Sequence, residues 1–320
     1  MGMIIQLIKN RSDIGAGTRG SDMGIDALEI AAINAGNDYF NRYKYVDVLT
    51  RNETIYNKNT NTFAKRIEHV AEQCERVCTS VKVSLQKGYF PIVLSGDHSS
   101  ASGTISGIKS AYPEKKLGVI WIDAHADLHS PFTSPSGNIH GMPLAAVIAD
   151  DNASCAINQP GKETIEHWER MKNTGIAGAK ILPQHLVYFG LRDYESAESF
   201  LIQQKNIPVI TVAELREKGI HSCIQSTLHH LHDCDLVYIS FDVDSMDCEQ
   251  VSYGTGTPVP VGFMPEEITD LLSACCNQLP VVCIELAEIN PLLDNKGNQM
   301  AETAFQVLNT ITAIVENKSA

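Results

Sequence analysis

The sequence predicts an α/β protein in which a mainly parallel β-sheet is covered by helices on both faces. Three observations predict it. Short runs of apolar and β-branched residues recur along the chain, and they are continuously apolar rather than alternating, as strands buried on both faces must be. Stretches with apolar residues every three or four positions separate them, the spacing of amphipathic helices. Polar residues with obvious chemistry stand directly after the apolar runs, and open parallel sheets carry their sites beyond the carboxyl ends of the strands.

Taken in order, residues 3–8 form the first run, 25–35 a helix and 45–49 the next strand. The 61–87 segment places Phe63, Ile67, Val70, Cys74, Val77 and Val81 at helical spacing. Residues 91–94 form a strand, a helix follows Ser99, and 117–122 is a further strand. The polar, weakly periodic stretch 151–183 reads as an irregular excursion. Runs at 186–189, 209–211, 236–241 and 281–286 complete the strands, with helices including 195–204, 264–277 and 300–316. Connections of this kind are right-handed and require no second domain, so residues 1–320 read as one. No internal repeat or low-complexity segment interrupts it.

Composition narrows the function. The chain has 320 residues, 43% of them hydrophobic, and a formal net charge of −13, without the basic face that nucleic-acid binders show. An acidic surface suits a cationic small substrate, and solubility explains it equally well. No apolar run approaches the roughly 20 residues that span a bilayer. The first residues lack the pattern of a secretory leader. Nine cysteines, an odd number without framework spacing, read as buried free thiols in a reducing compartment. These features predict a cytoplasmic protein with neither a nucleic-acid nor a membrane partner. His229, His230 and His232 fall in a polar, helix-like stretch and read as surface residues.

The sharpest chemical signal is Asp123-Ala124-His125-Ala126-Asp127, entered directly from an apolar strand. In extended backbone alternate side chains share a face, so Asp123, His125 and Asp127 are all expected to point one way. A second strand runs into Asp242-Val243-Asp244, and a third into Gly96-Asp97-His98. A single strand-end aspartate is usually a turn residue or helix cap. Three loaded strand ends together are not explained that way. Side-by-side carboxylates without a cation repel or take up protons.

The donor inventory is four carboxylates (Asp123, Asp127, Asp242, Asp244) and two imidazoles (His98, His125). It contains no thiolate and fits Mn²⁺, with Fe²⁺, Co²⁺ or Ni²⁺ as chemically allowed substitutes. Four carboxylates exceed the need of one divalent ion. Two ions about 3.5–4 Å apart balance the charge better and ionise a shared water at neutral pH.

Together with Ser136-Gly137-Asn138-Ile139-His140-Gly141, Gly254-Thr255-Gly256-Thr257-Pro258 and Glu288-Ile289-Asn290-Pro291, these motifs resemble the ureohydrolase family, and within it most of all the arginase branch. The resemblance spans nearly the whole chain, and the motifs are specific only as a set. It implies a three-layer α/β/α fold with a mainly parallel, about eight-stranded sheet, two Mn²⁺ ions, a small guanidino substrate and a homo-oligomer, trimeric or hexameric. It further implies that Asp123 and Asp242 bridge both ions, with His98 and Asp127 completing one coordination sphere and His125 and Asp244 the other.

By the same resemblance Asp127 accepts a hydrogen bond from the bridging hydroxide, Glu288 holds the guanidinium, and His140 shuttles protons. Ser136 and Asn138 grip an α-carboxylate, Glu195 and Glu198 receive an α-amino group, and Thr257 lines the pocket. Two positions depart from the pattern: His129 stands where arginases commonly carry asparagine, and Glu195 where they carry aspartate. The expected reaction is L-arginine to L-ornithine and urea. Agmatinase, guanidinobutyrase or formimidoylglutamase chemistry is the alternative within the family, and the departures leave it open. A zinc deacetylase of similar fold uses one metal and a different histidine pair, which four carboxylates oppose. A non-catalytic scaffold is disfavoured because no ligand position is lost.

Overall fold

The computed structural model describes residues 2–318. Eight strands form one sheet: β1 (Ile4–Asn10), β2 (Lys44–Asp47), β3 (Tyr89–Ser95), β4 (Leu117–Ile122), β5 (Leu186–Phe189), β6 (Val209–Ile210), β7 (Leu236–Asp242) and β8 (Val281–Ala287). Their spatial order is β2-β1-β3-β8-β7-β4-β5-β6, and every paired neighbour is parallel. β7 and β8, late in the chain, thus insert between β3 and β4. The carboxyl ends of β3, β8, β7 and β4 come to lie side by side at the centre of the sheet.

The strands read as unbroken apolar runs because both faces are covered. On β3, Ile92 and Leu94 pack into one apolar layer and Val93 into the other; on β4, Ile120 and Ile122 divide from Val119 and Trp121 in the same way. The first layer is closed by α1 (Gly24–Asn34), α10 (Pro265–Gln278) and α11 (Gln299–Asn317), the second by α3 (Ile67–Gln86), α4 (Ala101–Ala111) and α5 (Pro143–Ile148). The expected three-layer fold is the observed one, with every strand pair among the described residues parallel rather than only most. Among the described residues no helix is long and apolar enough to cross a membrane. All nine cysteines are free and seven are buried.

Two readings of the sequence are corrected. The 151–183 stretch is not irregular throughout, since Lys162–Lys172 forms a helix, α6. Its buried stripe consists of Thr164, Trp168, Met171 and Lys172, so only two large apolar side chains mark eleven residues and the periodic signal is thin. The long helix begins at Ile67 rather than near residue 61, because Arg66 takes a left-handed conformation (φ 57°) that ends the preceding loop. His229 and His232 are exposed as expected, and His230 is half-buried.

Candidate metal centre

The donors reach the centre on turns. After β3, Gly96 passes so close to Ser12 that a side chain would strike the Ser12 carbonyl. Asp97 then accepts the amides of Gly15 (2.8 Å) and Ser99 (2.9 Å), while the His98 amide donates to Glu288 Oε1 (2.9 Å). These bonds fix the turn that aims His98 inward.

After β4 the expected extended geometry stops at Ile122. Asp123 Oδ1 accepts the His125 amide (2.7 Å), and the amides of Arg192 and Asp193 bond the Ala124 carbonyl (2.9 Å each). Asp127 is left-handed (φ 52°), a costly conformation for a non-glycine residue and one that concentrates at functional sites. Asp123, His125 and Asp127 therefore converge through a tight bend, not through strand alternation. After β7, Asp242 Oδ1 accepts the Asp244 amide (2.8 Å) in a turn of the same kind, and Asp244 Oδ1 receives the Ala124 amide (3.2 Å).

The six side chains meet as two overlapping groups. His98 Nδ1 lies 3.0 Å from Asp123 Oδ2, 3.1 Å from Asp127 Oδ2 and 3.1 Å from Asp242 Oδ2. His125 Nδ1 lies 2.9 Å from Asp244 Oδ2 and 3.6 Å from Asp123 Oδ1. Asp123 belongs to both groups through its two oxygens. Although buried and crowded by carboxylates, His98 Nδ1 makes no hydrogen bond, nor does Asp123 Oδ2. Buried polar atoms left without partners are costly. Lone pairs aimed at a common point instead suit a divalent cation, which the oxygen and imidazole donors would hold.

The electrostatics agree. Burial, then repulsion from Asp244 and Asp123, pushes the Asp242 carboxyl well above its ordinary range. Burial and the neighbouring Asp123 raise Asp127 to about 6. Burial works to raise Asp123 as well, but the His125 and His98 imidazoles hold it far below the ordinary range. Burial works to lower His98 and His125, and the surrounding carboxylates lift both well above it. Too much negative charge shares one dry place, and the imidazoles alone compensate it by taking protons.

The same cavity, of about 120 Å³, is lined as well by His140, Glu288, His129, Ser136, Glu195, Glu198 and Thr257. Glu288 is buried and left-handed (φ 69°). Its Oε1 accepts both the His98 amide and His140 Nδ1 (3.0 Å), leaving Oε2 towards Gly256. Burial works to lower His140, and Glu288 raises it to about 9. Glu198 Oε1 accepts the Leu128 amide (3.0 Å) and Oε2 the Glu195 amide (3.0 Å). His129 bonds Thr133 Oγ1 (3.1 Å) and Glu195 Oε2 (2.9 Å), so the two departures from the family pattern touch each other. That contact holds Glu195 down at about 2, whereas burial lifts Glu198 to about 8. Thr257 Oγ1 donates to Asp244 Oδ2 (3.1 Å). Asn138 stands apart: it does not line the cavity, and its Oδ1 accepts Lys65 Nζ (3.0 Å).

Four further residues support the centre. Ser240 Oγ lies 2.7 Å from His98 Nε2, which orients the ring and leaves Nδ1 as the inward atom. Trp121 stacks on the same imidazole with ring centroids 4.1 Å apart. Asp193 Oδ2 lies 3.6 Å from His125 Nε2. Arg192 bonds the carbonyls of Gly190, Asp244 and Val259 (2.8–3.0 Å), pinning three loops together. Ser240 and Trp121 had a signal, since each precedes a strand-end aspartate by two positions. Arg192 and Asp193 had none beyond their place after β5.

The model of the Arginase family matches residues 5–313. The arginase of Bacillus caldovelox is 32% identical over 312 residues, covering 96% of this chain and 97% of that one. The arginase of Bacillus subtilis (strain 168) is 32% identical, covering 97% and 98%. Among solved structures, that of the B. caldovelox arginase superposes with a TM-score of 0.82 at 31% identity, over 97% of this chain and 98% of that one. The structure of a B. subtilis formimidoylglutamase shares the fold, with a TM-score of 0.74 at 19% identity. The chain belongs to the Arginase family of metal-dependent hydrolases that act on guanidino compounds.

Proposed function

We propose that this protein hydrolyses L-arginine to L-ornithine and urea, with two Mn²⁺ ions held by His98, Asp123, His125, Asp127, Asp242 and Asp244. The observation that carries this reading is Glu288: a buried carboxylate with one free oxygen, lining the same cavity as the six donors. The distances put His98, Asp127 and Asp242 in one group and His125 and Asp244 in the other, with Asp123 in both, and these residues would hold the pair of ions. When bound, the ion pair supplies Lewis acidity that makes water a nucleophile at neutral pH.

The chain's own groups do the rest. Glu288 Oε2 accepts the planar guanidinium through charge-assisted hydrogen bonds and fixes its plane. Asp127 takes a proton at the centre, and the leaving amine must gain one before it departs. His140, bonded to Glu288 at the cavity wall, is placed to relay it. Glu195 presents negative charge for an α-ammonium and Ser136 a hydroxyl for an α-carboxylate, while Glu198 and His129, the other two residues assigned to the substrate, stand beside Glu195. The homo-oligomer and cytoplasmic location expected from the sequence belong to the same proposal.

Urea release after Mn²⁺ loading, measured in parallel on L-arginine, agmatine, 4-guanidinobutyrate and formimidoylglutamate (formamide release for the last), tests it. L-arginine is expected to be fastest. Glu288→Gln removes the charge behind hydrogen bonds worth about 1.5–3 kcal/mol, so kcat/KM should fall roughly 10–150-fold with Mn²⁺ content unchanged. Faster turnover of agmatine, or an unimpaired Glu288→Gln enzyme, overturns the reading. The runner-up, another guanidino or formimidoyl compound, has two observations in its favour: Asn138 faces Lys65, and Glu195 is already engaged by His129.

A further inference from the structure

We propose that His185, Asp233 and Cys234 form a second, thiolate-containing site for a divalent transition-metal ion of the zinc class, at the amino-terminal edge of the sheet. His185 ends the short turn Pro183–His185 that leads into β5, and Asp233 and Cys234 lead into β7. Both strands flank β4, whose six residues separate this edge from Asp123 by about 20 Å. The site is therefore distinct from the carboxylate centre.

One ligand atom of each of the three side chains lies within 4.8 Å of the other two. His185 Nε2 and Asp233 Oδ1 are 3.5 Å apart, and Cys234 Sγ and Asp233 Oδ1 4.0 Å. Donors around tetrahedral zinc stand about 3.3–3.8 Å apart, given bonds of about 2.0 Å to nitrogen and 2.3 Å to sulfur. An inward movement of the thiol closes the set. Asp233 is already oriented as a one-oxygen ligand, because Lys116 Nζ holds Oδ2 at 2.8 Å and Oδ1 is turned towards His185 and Cys234.

A lone surface ion pair would leave these features unexplained. The His185 side chain is 95% buried (5% exposed), yet it meets Asp233 beyond a good hydrogen-bond distance. His230, three residues before Asp233, carries a buried Nε2 with no partner. Burial keeps that imidazole below its ordinary range. One thiolate, one carboxylate and one divalent ion sum to zero charge. Asp233 is 38% exposed, which leaves an entry path. A nitrogen–oxygen–sulfur donor set prefers zinc or cobalt to manganese, whereas the carboxylate centre contains no sulfur.

That difference supplies the test. The Mn²⁺-loaded protein is titrated with Co²⁺ and watched for the near-ultraviolet thiolate-to-cobalt charge-transfer band. Cobalt exchanging into the carboxylate centre cannot produce it. The expected result is a band saturating at one equivalent, lost in Cys234→Ser, retained in Cys248→Ser, and shifted at least about tenfold to higher Co²⁺ in His185→Gln. Guanidino hydrolysis by Mn²⁺-loaded Cys234→Ser should equal wild type, and matching circular-dichroism melts show that this variant folds. No band in the wild type, or a band that survives Cys234→Ser, overturns the proposal.

Discussion

Asp242 and Glu195 are carboxylates of one cavity built by different means. Asp242 ends a central strand, is 2% exposed, and has one oxygen locked by the Asp244 amide. Glu195 caps the helix Ser196–Lys205 from a loop, and its side chain is 57% exposed. The same contrast divides the rest. His98, Asp123 and Asp244 are buried and held by backbone amides or by Ser240, whereas Ser136 is exposed on a loop and His129 is held only by side chains. The cavity floor is thus part of the fold, and altering it disturbs the turns that end three strands. The rim can change residue by residue, and both departures from the family pattern are found there. Chemistry resides in the floor and choice of substrate in the rim.

The largest expected effect strikes the floor. Asp123 faces His98 with one oxygen and His125 with the other, so Asp123→Ala should release both ions rather than one. Mn²⁺ per chain after desalting is expected to fall towards zero, and activity by about 10³-fold or more, since loss of even a supporting partner costs roughly 10–100-fold in metal affinity. Asp244→Ala should lower metal content by one ion. A variant that kept two ions and full turnover would break the distinction between floor and rim at once.

A second effect follows from protonation. The carboxylates hold His98 and His125 well above their ordinary range, so both imidazoles carry protons in the metal-free protein at neutral pH. Metal binding requires the neutral ring, so loading must expel protons, and affinity must rise with pH below the raised values. For each proton displaced, Mn²⁺ affinity is expected to weaken about tenfold per pH unit on acidification. Calorimetric titrations between pH 6 and 8, in buffers of different ionisation enthalpy, measure both quantities. An affinity flat across that window would mean that the imidazoles enter the site already neutral.

The floor was legible in the sequence for the same reason that it is rigid. A continuously apolar strand can be read from residue type alone, and a polar residue just beyond it must lie at the sheet edge; the runs at 117–122 and 186–189 coincide with β4 and β5 to the residue. What the sequence did not reveal was how the donors turn inward. Strand alternation accounts for Asp123, His125 and Asp127 on paper, but the left-handed backbone at Asp127 and the Asp123 and Asp242 side-chain turns do the work, and these depend on tertiary amide contacts. The rim was harder still. Nothing in the local sequence places Lys65 against Asn138, some 73 residues away, or joins His129 to Glu195 across 66. Helix α6 was missed because Trp168 and Met171 carry its buried face almost alone.

The smallest expected effect tests the rim through that last contact. His129→Asn keeps a donor beside Thr133 but shortens the arm that reaches Glu195. Glu195 is more than half exposed, so the lost pair costs about 1 kcal/mol or less, and the fold should not suffer. Because His129 bonds Thr133 and Glu195 and none of the six donors, its loss should weaken ground state and transition state alike, raising KM for L-arginine a few-fold with kcat nearly constant. A substrate without the α-carboxylate, such as agmatine, should respond less. Glu195→Asp should act in the same direction. The double variant should fall short of the sum, because residues in contact couple by about 0.5 kcal/mol or more. Additive effects would show that the two residues act independently of each other. A fall in kcat as large as that in kcat/KM would place His129 in the floor, and the division of labour drawn from Asp242 and Glu195 would no longer hold.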